Sequence, residues 1–206
     1  MVLSDTESAS QAIIAYEHSL AEFITAWNRA EFTYRSLLVA VCGRTPAAYI
    51  LTAGMGVRGL KEALLSYASD GMADADLSAV KHATEFFDRV LAYRNYYIHG
   101  IQLISYAAYA GVAVGEIHAV SSKGRFALHQ ELISQSEIET ARQNAVNLHT
   151  ALIDLLLRFG PEAPQRTQSA ERLEGFQARN PWPDTLKKPR NYLLETHFRD
   201  QTPLPE

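Results

Sequence analysis

Apolar residues recur at three- and four-residue steps along much of the first half of the chain, which is the spacing of a buried helix face. Over residues 8–41 they predict one long helix, or two helices joined by a slight bend near Asn28. Thr45 followed by Pro46 is a typical helix start, so a short helix is expected from there to about Ala53. A second short helix is expected to end at about Ser69.

Two further helices carry the strongest signals. One is predicted from Asp74 or Asp76 to about His99, because carboxylates suit the positive end of the helix dipole. Gly100 is expected to cap its end. The last helix is predicted to open with a capping box, Ser134-Gln-Ser-Glu137, and to stop at Gly160-Pro161. Together these stretches predict a mainly α fold, an up-and-down helical bundle.

The only alternating pattern lies between the last two helices. Three strand-like runs, 101–109, 112–120 and 124–132, are separated by Ala-Gly and Ser-Ser-Lys-Gly, which are typical of turns. We therefore expect a small β-hairpin or three-stranded meander at about 101–132, inserted into the bundle.

The predicted organisation is a helical domain over 1–160 followed by a tail over 161–206. The tail holds seven of the eight prolines, which would interrupt any core of its own, and one short helix is expected at about 169–178. We expect the tail either to wrap around the body or to be partly mobile.

Composition narrows the class of protein. The chain has 206 residues, 47% of them hydrophobic and 20% charged, which is typical of a globular protein. A net charge of -4 argues against a binder that relies on a basic surface throughout. Cys42 has no partner for a disulfide, the N-terminus does not resemble a secretory signal, and 98–114 is too interrupted to span a membrane. We expect a cytoplasmic protein.

One heptapeptide, Arg94-Asn95-Tyr96-Tyr97-Ile98-His99-Gly100, carries candidate chemistry. Arg94 continues the apolar line of its helix, where a guanidinium is unfavourable without an anion, either a carboxylate of the protein or a bound phosphate. Asn95 and His99 are four residues apart and share a helix face. Arg94 points about 140° away from His99 on an ideal helix, at about 100° per residue. Only its long side chain could bring the two groups together.

This heptapeptide resembles the R-N-x-x-x-H signature of the HEPN superfamily (higher eukaryotes and prokaryotes nucleotide-binding). The setting, a helical domain with the motif at the end of a long helix, is also similar, over roughly residues 8–160. The inserted strands and the proline-rich tail do not belong to the core family pattern.

The resemblance implies a four-helix core that forms a homodimer, with two copies of the motif facing each other across a cleft. It also implies a metal-independent endoribonuclease without a cofactor, whose product carries a 2′,3′-cyclic phosphate. Arg94 would bind the scissile phosphate and stabilise the transition state, and His99 would act as general acid or base. Asn95 would orient His99 or bind the phosphate.

Four other residues are candidates for substrate binding. Glu31 and Arg35 lie four residues apart on the first helix, and Glu31 is a candidate partner for Arg94 or a residue of the same cleft. A solvated polar face is the alternative. Tyr96 and Tyr97 are candidates for stacking on RNA bases, and packing between helices or subunits is the alternative. The histidines show no metal-ligand spacing, so no metal is predicted.

Two functions remain open at this point. The first is a HEPN-type ribonuclease, in a toxin–antitoxin or phage-defence setting with an antitoxin-like partner. The second is a non-catalytic helical module that binds a nucleotide, RNA or a protein. The ribonuclease hypothesis requires that Arg94 and His99 meet where solvent reaches them, with no internal acid neutralising the guanidinium.

Overall fold

The computed structural model describes residues 5–107, 112–120, 128–159 and 175–184. The fold is mainly α, as the apolar spacing predicts. The described residues form six helices and three strands: α1 Asp5–Val41, α2 Pro46–Gly54, α3 Val57–Gly71, α4 Asp74–Gly100, β1 Ile101–Ala107, β2 Val112–Val120, β3 Leu128–Ser134, α5 Gln135–Phe159 and α6 Phe176–Arg179.

The helix boundaries follow the local signals closely. α1 is one continuous helix of 37 residues, so of the two alternatives the structure contains the single helix. Thr45 caps α2 by accepting a hydrogen bond from the Ala48 N–H at 3.2 Å. The capping box is also present, since Ser134 N–H donates to Glu137 Oε2 at 2.7 Å and Glu137 N–H donates to Ser134 Oγ at 3.3 Å.

The end of α4 differs from the prediction. Gly100 is the last residue of the helix rather than a cap beyond it, and Ile101 has extended backbone angles (φ -68°, ψ 116°). The helix therefore passes directly into β1 without a left-handed turn. This junction places the strands against the end of α4 that carries the heptapeptide.

Contacts between the long helices define an up-and-down bundle. In the middle of α1, the Phe23 ring lies 6.2 Å from the Tyr97 ring near the end of α4, and further along α1 the Tyr34 hydroxyl is 3.0 Å from Thr84 Oγ1. α1 and α4 are thus antiparallel. α5 runs parallel to α1, because Gln135 donates to Ser19 Oγ at 3.0 Å and Thr33 Oγ1 lies 3.0 Å from His149 Nδ1.

The core lies where α1, α3, α4 and α5 meet. Its centre is aromatic: the Phe87 ring stacks on Tyr34 with centroids 4.2 Å apart and contacts Trp27 at 4.9 Å. Burial of this much apolar surface is the main favourable term in folding. The same cluster includes aliphatic residues from all four helices: Leu37, Leu38, Leu60, Leu64, Val80, Val90, Ile138, Leu148, Leu152 and Leu155.

The three strands form an antiparallel meander in the order β1-β2-β3, which was one of the two predicted arrangements. The predicted limits at Tyr109 and Gly124 lie outside the described residues. β2 packs against α1 at Gly115, where a Cβ would collide with the Tyr16 hydroxyl. Glycine is needed at this position because of that close approach. Burial raises the pKa of Tyr16 to about 12, although the adjacent Gly115 backbone acts in the opposite direction.

The described part of the tail, 175–184, packs on α4. Phe176 of α6 is only 2% exposed and joins the core cluster. The short helix predicted over 169–178 is thus present at its C-terminal end, and residues 169–174 are not among those described. No helix among the described residues is both long enough and apolar enough to cross a membrane.

Candidate functional site

The heptapeptide occupies the last two turns of α4. Tyr97 is 4% exposed and faces the core, where it continues the apolar side of the helix beyond Val90. Asn95 and His99 lie on the solvent side and are exposed, and Arg94 is half-buried between the two sides. The period of the helix therefore places Asn95 and His99 on the side away from Tyr97, whereas Arg94, three residues before Tyr97, stays near the packed side.

The Arg94 side chain brings its charge to His99. Its Nη1 atom lies 2.6 Å from His99 Nε2 and donates a hydrogen bond to Asn95 Oδ1 at 3.0 Å. The three side chains thus form one cluster, which we call the motif cluster. The five-residue offset between Arg94 and His99 is overcome by the length of the arginine side chain, as the sequence requires.

The short contact between Arg94 and His99 determines which imidazole nitrogen carries the proton. A guanidinium only donates hydrogen bonds, so His99 Nε2 must accept and the ring proton must be on Nδ1. Nε2 is consequently engaged by Arg94 in this arrangement. An anion that draws the Arg94 N–H groups to itself would free Nε2 for a proton.

Arg94 has no anionic partner among the described residues. No carboxylate within them lies at ion-pair distance, and its Nε atom is buried without a hydrogen-bond partner. A half-buried cation with only neutral partners is electrostatically unfavourable by comparison with an ion pair. The candidate partners of Arg94 are a carboxylate of the protein and a bound phosphate. The described residues do not supply the carboxylate.

Glu31 and Arg35 do not join the motif cluster. Arg35 Nη2 donates to Glu31 Oε1 at 2.8 Å, and the second oxygen of Glu31 accepts from Trp27 Nε1 at 3.1 Å. Phe23 marks the level of Tyr97 on α1, and Glu31 lies eight residues further, about 12 Å along the helix. The candidate pairing of Glu31 with Arg94 is not present, because Glu31 pairs with Arg35, one turn away on the same helix.

Arg35 has a structural role that the sequence did not reveal. Its Nη1 atom donates to the carbonyl oxygens of Thr52 at 2.8 Å and Met55 at 2.9 Å, at the end of α2. The Thr52 carbonyl also accepts from the Met55 N–H at 3.3 Å, so the guanidinium adds further donors to the carbonyls at this helix end. We call Arg35, Glu31 and these carbonyls the α1–α2 cluster.

The tyrosines divide between packing and the surface. Tyr97 is buried against Phe23, and burial raises its pKa, so its ring is not an exposed stacking platform and the alternative of packing between helices is correct. Tyr96 is half-buried, with its ring 5.7 Å from that of Tyr97. Tyr93 donates a hydrogen bond to the Asp184 carbonyl at 2.9 Å.

No family model, curated protein or solved structure matches this chain. The motif cluster therefore has to be interpreted from its own geometry. Within the described ranges, no group of three or more His, Cys, Asp or Glu side chains is arranged to hold a metal ion.

The sequence predicts a tail that either wraps around the body or is partly mobile, and it does not indicate that the tail contacts α4 beside the motif. Residues 175–184 follow α4 and reach Tyr93, the residue before Arg94. Asn180-Pro-Trp182-Pro183 is a signal that could have indicated this contact, because a tryptophan between prolines in a polar tail favours stacking on another part of the protein.

Proposed function

We propose that this protein is a metal-independent endoribonuclease of the HEPN type, which cleaves RNA by attack of a ribose 2′-hydroxyl on the adjacent phosphate. The observation that supports this best is the contact of Arg94 with His99 at a solvent-exposed helix end. Arg94, which has no carboxylate partner among the described residues, lies 2.6 Å from the Nε2 atom of His99. That is the pair of groups that phosphoryl transfer without a metal needs.

The proposed mechanism begins with the phosphate of the substrate. Its non-bridging oxygens accept hydrogen bonds from the Arg94 guanidinium, which is planar and suited to two parallel bonds. Arg94 then releases His99 Nε2, and the unprotonated nitrogen accepts the proton of the 2′-hydroxyl as it attacks phosphorus. Arg94 stabilises the additional negative charge in the transition state, and Asn95 holds Arg94 in place.

The bond from phosphorus to the 5′-oxygen then breaks. The products are a 2′,3′-cyclic phosphate and a 5′-hydroxyl, and the leaving oxygen needs a proton. One motif cluster contains a single imidazole, so a second acid is required at the same time. A homodimer in which two motif clusters face each other would supply it, with one His99 as base and the other as acid.

The same proposal carries a biological setting. An RNA-cleaving homodimer would act in the cytoplasm, where RNA is present, and its activity would need restraint by an antitoxin-like protein partner. A toxin–antitoxin or phage-defence function is consistent with that need.

His99→Ala tests the proposal. We expect the purified protein to cleave RNA in the presence of EDTA and the variant to lose at least about 10²-fold in rate, since proton transfer contributes roughly 10²–10⁴-fold. His18→Ala is the matched control, because the His18 side chain is 71% exposed on α1. Rates are measured on a fluorescent RNA oligonucleotide, with thermal melts of all three proteins.

Two results would contradict the proposal. One is a purified protein, free of any inhibitor, that leaves RNA intact; the other is a His99→Ala variant that cleaves as fast as the original. Loss of activity on adding EDTA would argue against a metal-independent reaction in particular.

A non-catalytic module that binds a nucleotide, RNA or a protein is the second candidate. It is favoured by one observation, that Arg94 already occupies His99 Nε2 and so orders the imidazole in place. In this case Arg94→Ala should weaken ligand binding, and no RNA cleavage should be found under any condition. Binding of a non-cleavable RNA, measured beside the cleavage assay, separates the two functions.

A further inference from the structure

A groove of about 370 Å³ lies between α1 and α5 and shares no residue with the motif cluster. On α1 it is lined by His18, Glu22 and Arg29, whose spacing of four and seven residues places them on one face of the helix. On α5 it is lined by Arg142 and Val146, which are one turn apart. Two guanidinium groups from different helices therefore border the same space.

Arg29 and Arg142 also lie at nearly the same level of the bundle. Two hydrogen-bonded pairs across the interface of α1 and α5 are each separated by 116 residues in the sequence: Ser19 with Gln135, and Thr33 with His149. Because the two helices run parallel, the same offset places Arg142 level with Ala26, three residues before Arg29. At about 1.5 Å per residue, the two arginines are offset by about 4.5 Å along the helix axes. One small anion between them can therefore contact both side chains.

Among the described residues, one carboxylate, Glu22, lines the groove, and it does not saturate the cations there. Glu22 Oε2 lies 3.7 Å from Arg142 Nε, which is longer than a hydrogen bond, and Arg142 Nε is buried without a hydrogen-bond partner. Glu22 Oε1 lies 4.0 Å from His18 Nδ1. Both ion pairs of the groove use Glu22, so Arg29 has no carboxylate partner within the described part of the chain. The groove therefore offers positive charge and hydrogen-bond donors to an anion.

A phosphate group fits these donors better than a carboxylate does. A phosphate monoester has a second pKa of about 6, so above neutral pH it carries about two negative charges on three terminal oxygens. Two guanidinium groups can each donate to such a group, whereas a single guanidinium already occupies both oxygens of a carboxylate. Ala21, Ala26 and Val146 add an apolar wall, and Val146 is 38% exposed. Since ligand pockets hold about 300–1,000 Å³, this groove suits a small organic group beside the phosphate.

We infer that the groove between α1 and α5 binds a small organic phosphate monoester, with its phosphate held between Arg29 and Arg142 and its organic part against Val146. This site is separate from the motif cluster, so the inference does not depend on whether the protein cleaves RNA. The Glu22 carboxylate repels the bound anion and thereby limits the affinity.

Isothermal titration calorimetry of the full-length protein tests the inference, at about pH 7.5 in a buffer without phosphate, where the monoester carries its second charge. The probes are phenyl phosphate, inorganic phosphate and benzoate. All proteins carry Arg94→Gln, so that the motif cluster does not contribute a second phosphate site. The groove variants are Arg29→Gln, Arg142→Gln and Glu22→Gln. Arg58→Gln is the matched control, because it removes the same charge from a side chain that is 90% exposed on α3.

We expect Arg29→Gln and Arg142→Gln each to weaken the binding of phenyl phosphate by about 10- to 100-fold, as loss of a hydrogen bond between charged groups does. Arg58→Gln should change it by less than about 2-fold. Glu22→Gln should strengthen it by about 2- to 5-fold, because a repelling charge is removed. Val146→Ser should weaken the binding of phenyl phosphate and leave that of inorganic phosphate unchanged, because only the ring contacts the apolar wall.

The inference is overturned if phenyl phosphate does not bind, or if Arg29→Gln and Arg142→Gln bind it as the Arg58→Gln control does while thermal melts show all three proteins folded. Should Arg142→Gln not fold, Arg142→Lys takes its place; it keeps the charge without the two parallel donors, so a loss of several-fold is expected and equal binding would contradict the site. Benzoate that binds as tightly as phenyl phosphate would overturn the choice of phosphate. Inorganic phosphate that binds as tightly would overturn the organic part.

Discussion

Two arginines, each half-buried on a long helix, have opposite surroundings. In the α1–α2 cluster, Arg35 donates to the Glu31 carboxylate and to two backbone carbonyls. In the motif cluster, Arg94 meets only an imidazole and an amide, and its Nε atom has no hydrogen-bond partner. Within the described structure, the Arg35 guanidinium has an anionic partner and donates three hydrogen bonds, whereas the Arg94 guanidinium has no anionic partner.

The two clusters therefore differ in what holds the guanidinium in place. The contacts of Arg35 with a carboxylate and two helix-end carbonyls stabilise the fold. Arg94 has no comparable contacts, and under the proposed function a bound phosphate would supply the anion that it lacks.

Exchanging the two arginines for neutral side chains should separate activity from stability. Arg94→Gln is expected to reduce the rate of RNA cleavage by about 10²–10³-fold, as loss of one transition-state donor does elsewhere. Its melting temperature should change little, because the acceptors left behind, Asn95 Oδ1 and His99 Nε2, belong to exposed residues. A variant that unfolds far more easily, with its cleavage rate unchanged, would assign Arg94 to the fold.

Alkaline pH should weaken the interior without acting on the motif cluster. Burial raises the pKa values of Tyr16, Tyr34 and Tyr97 above the ordinary value of 10. The unfolded chain therefore ionises first, and the stability that is complete below about pH 10 is lost as the pH rises through the folded pKa values. From a pKa of about 12, Tyr16 contributes on the order of 1 kcal/mol to the loss between pH 8 and pH 11.

Urea unfolding at pH 8 and pH 11 measures the effect. Tyr16→Phe should lose less stability between the two values than the original protein does. Tyr49→Phe is the control, because Tyr49 is 56% exposed. An equal pH-dependent loss in all three proteins would show that Tyr16 is not responsible.

Arg35→Ala should affect stability and leave the chemistry of the motif cluster intact. It removes donors from two backbone carbonyls and leaves Glu31 with Trp27 as its remaining partner, which should lower the free energy of unfolding by about 1–3 kcal/mol. Arg58→Ala removes an exposed ion pair with Glu62, with side chains 90% and 64% exposed, and should cost much less. Chemical denaturation compares the two; equal stability would make the α1–α2 cluster irrelevant to the fold.

Asn95→Ala should have the smallest effect that still distinguishes the motif cluster from the α1–α2 cluster. Asn95 accepts one hydrogen bond from the Arg94 guanidinium at the surface, and at an exposed position such a bond contributes on the order of 1 kcal/mol. We expect cleavage to slow by about 2- to 10-fold, with unchanged thermal stability. A loss as large as that of His99→Ala would instead give Asn95 a direct part in the reaction.

Local patterns predicted most of the helices and the strand region. Thr45 and the Ser134–Glu137 pair act within one turn of their own helices, so their roles follow from spacing alone. The shared face of Asn95 and His99, four residues apart, could also be predicted from helix geometry. The partner of Glu31 could not, because it depends on side-chain conformations and on where α2 ends relative to α1.

The contact between the tail and α4 shows the same limit at longer range. His82 and Asn180 are 98 residues apart, and no short-range pattern links them. The burial of Phe176 and the stacking of Trp182 hold residues 175–184 against α4. Both contacts depend on a surface that exists only after the bundle has formed.

By itself, the order of apolar and polar residues determined the mainly α class, the position of the meander and the presence of Arg94, Asn95 and His99 on the last turns of one helix. Those properties depend on the backbone period, which neighbouring residues set. Only the tertiary structure decided that Arg94 reaches His99, that Glu31 pairs with Arg35, and that Asp184 contacts Tyr93. Such choices depend on burial and on which donors and acceptors packing brings within about 3 Å of each other.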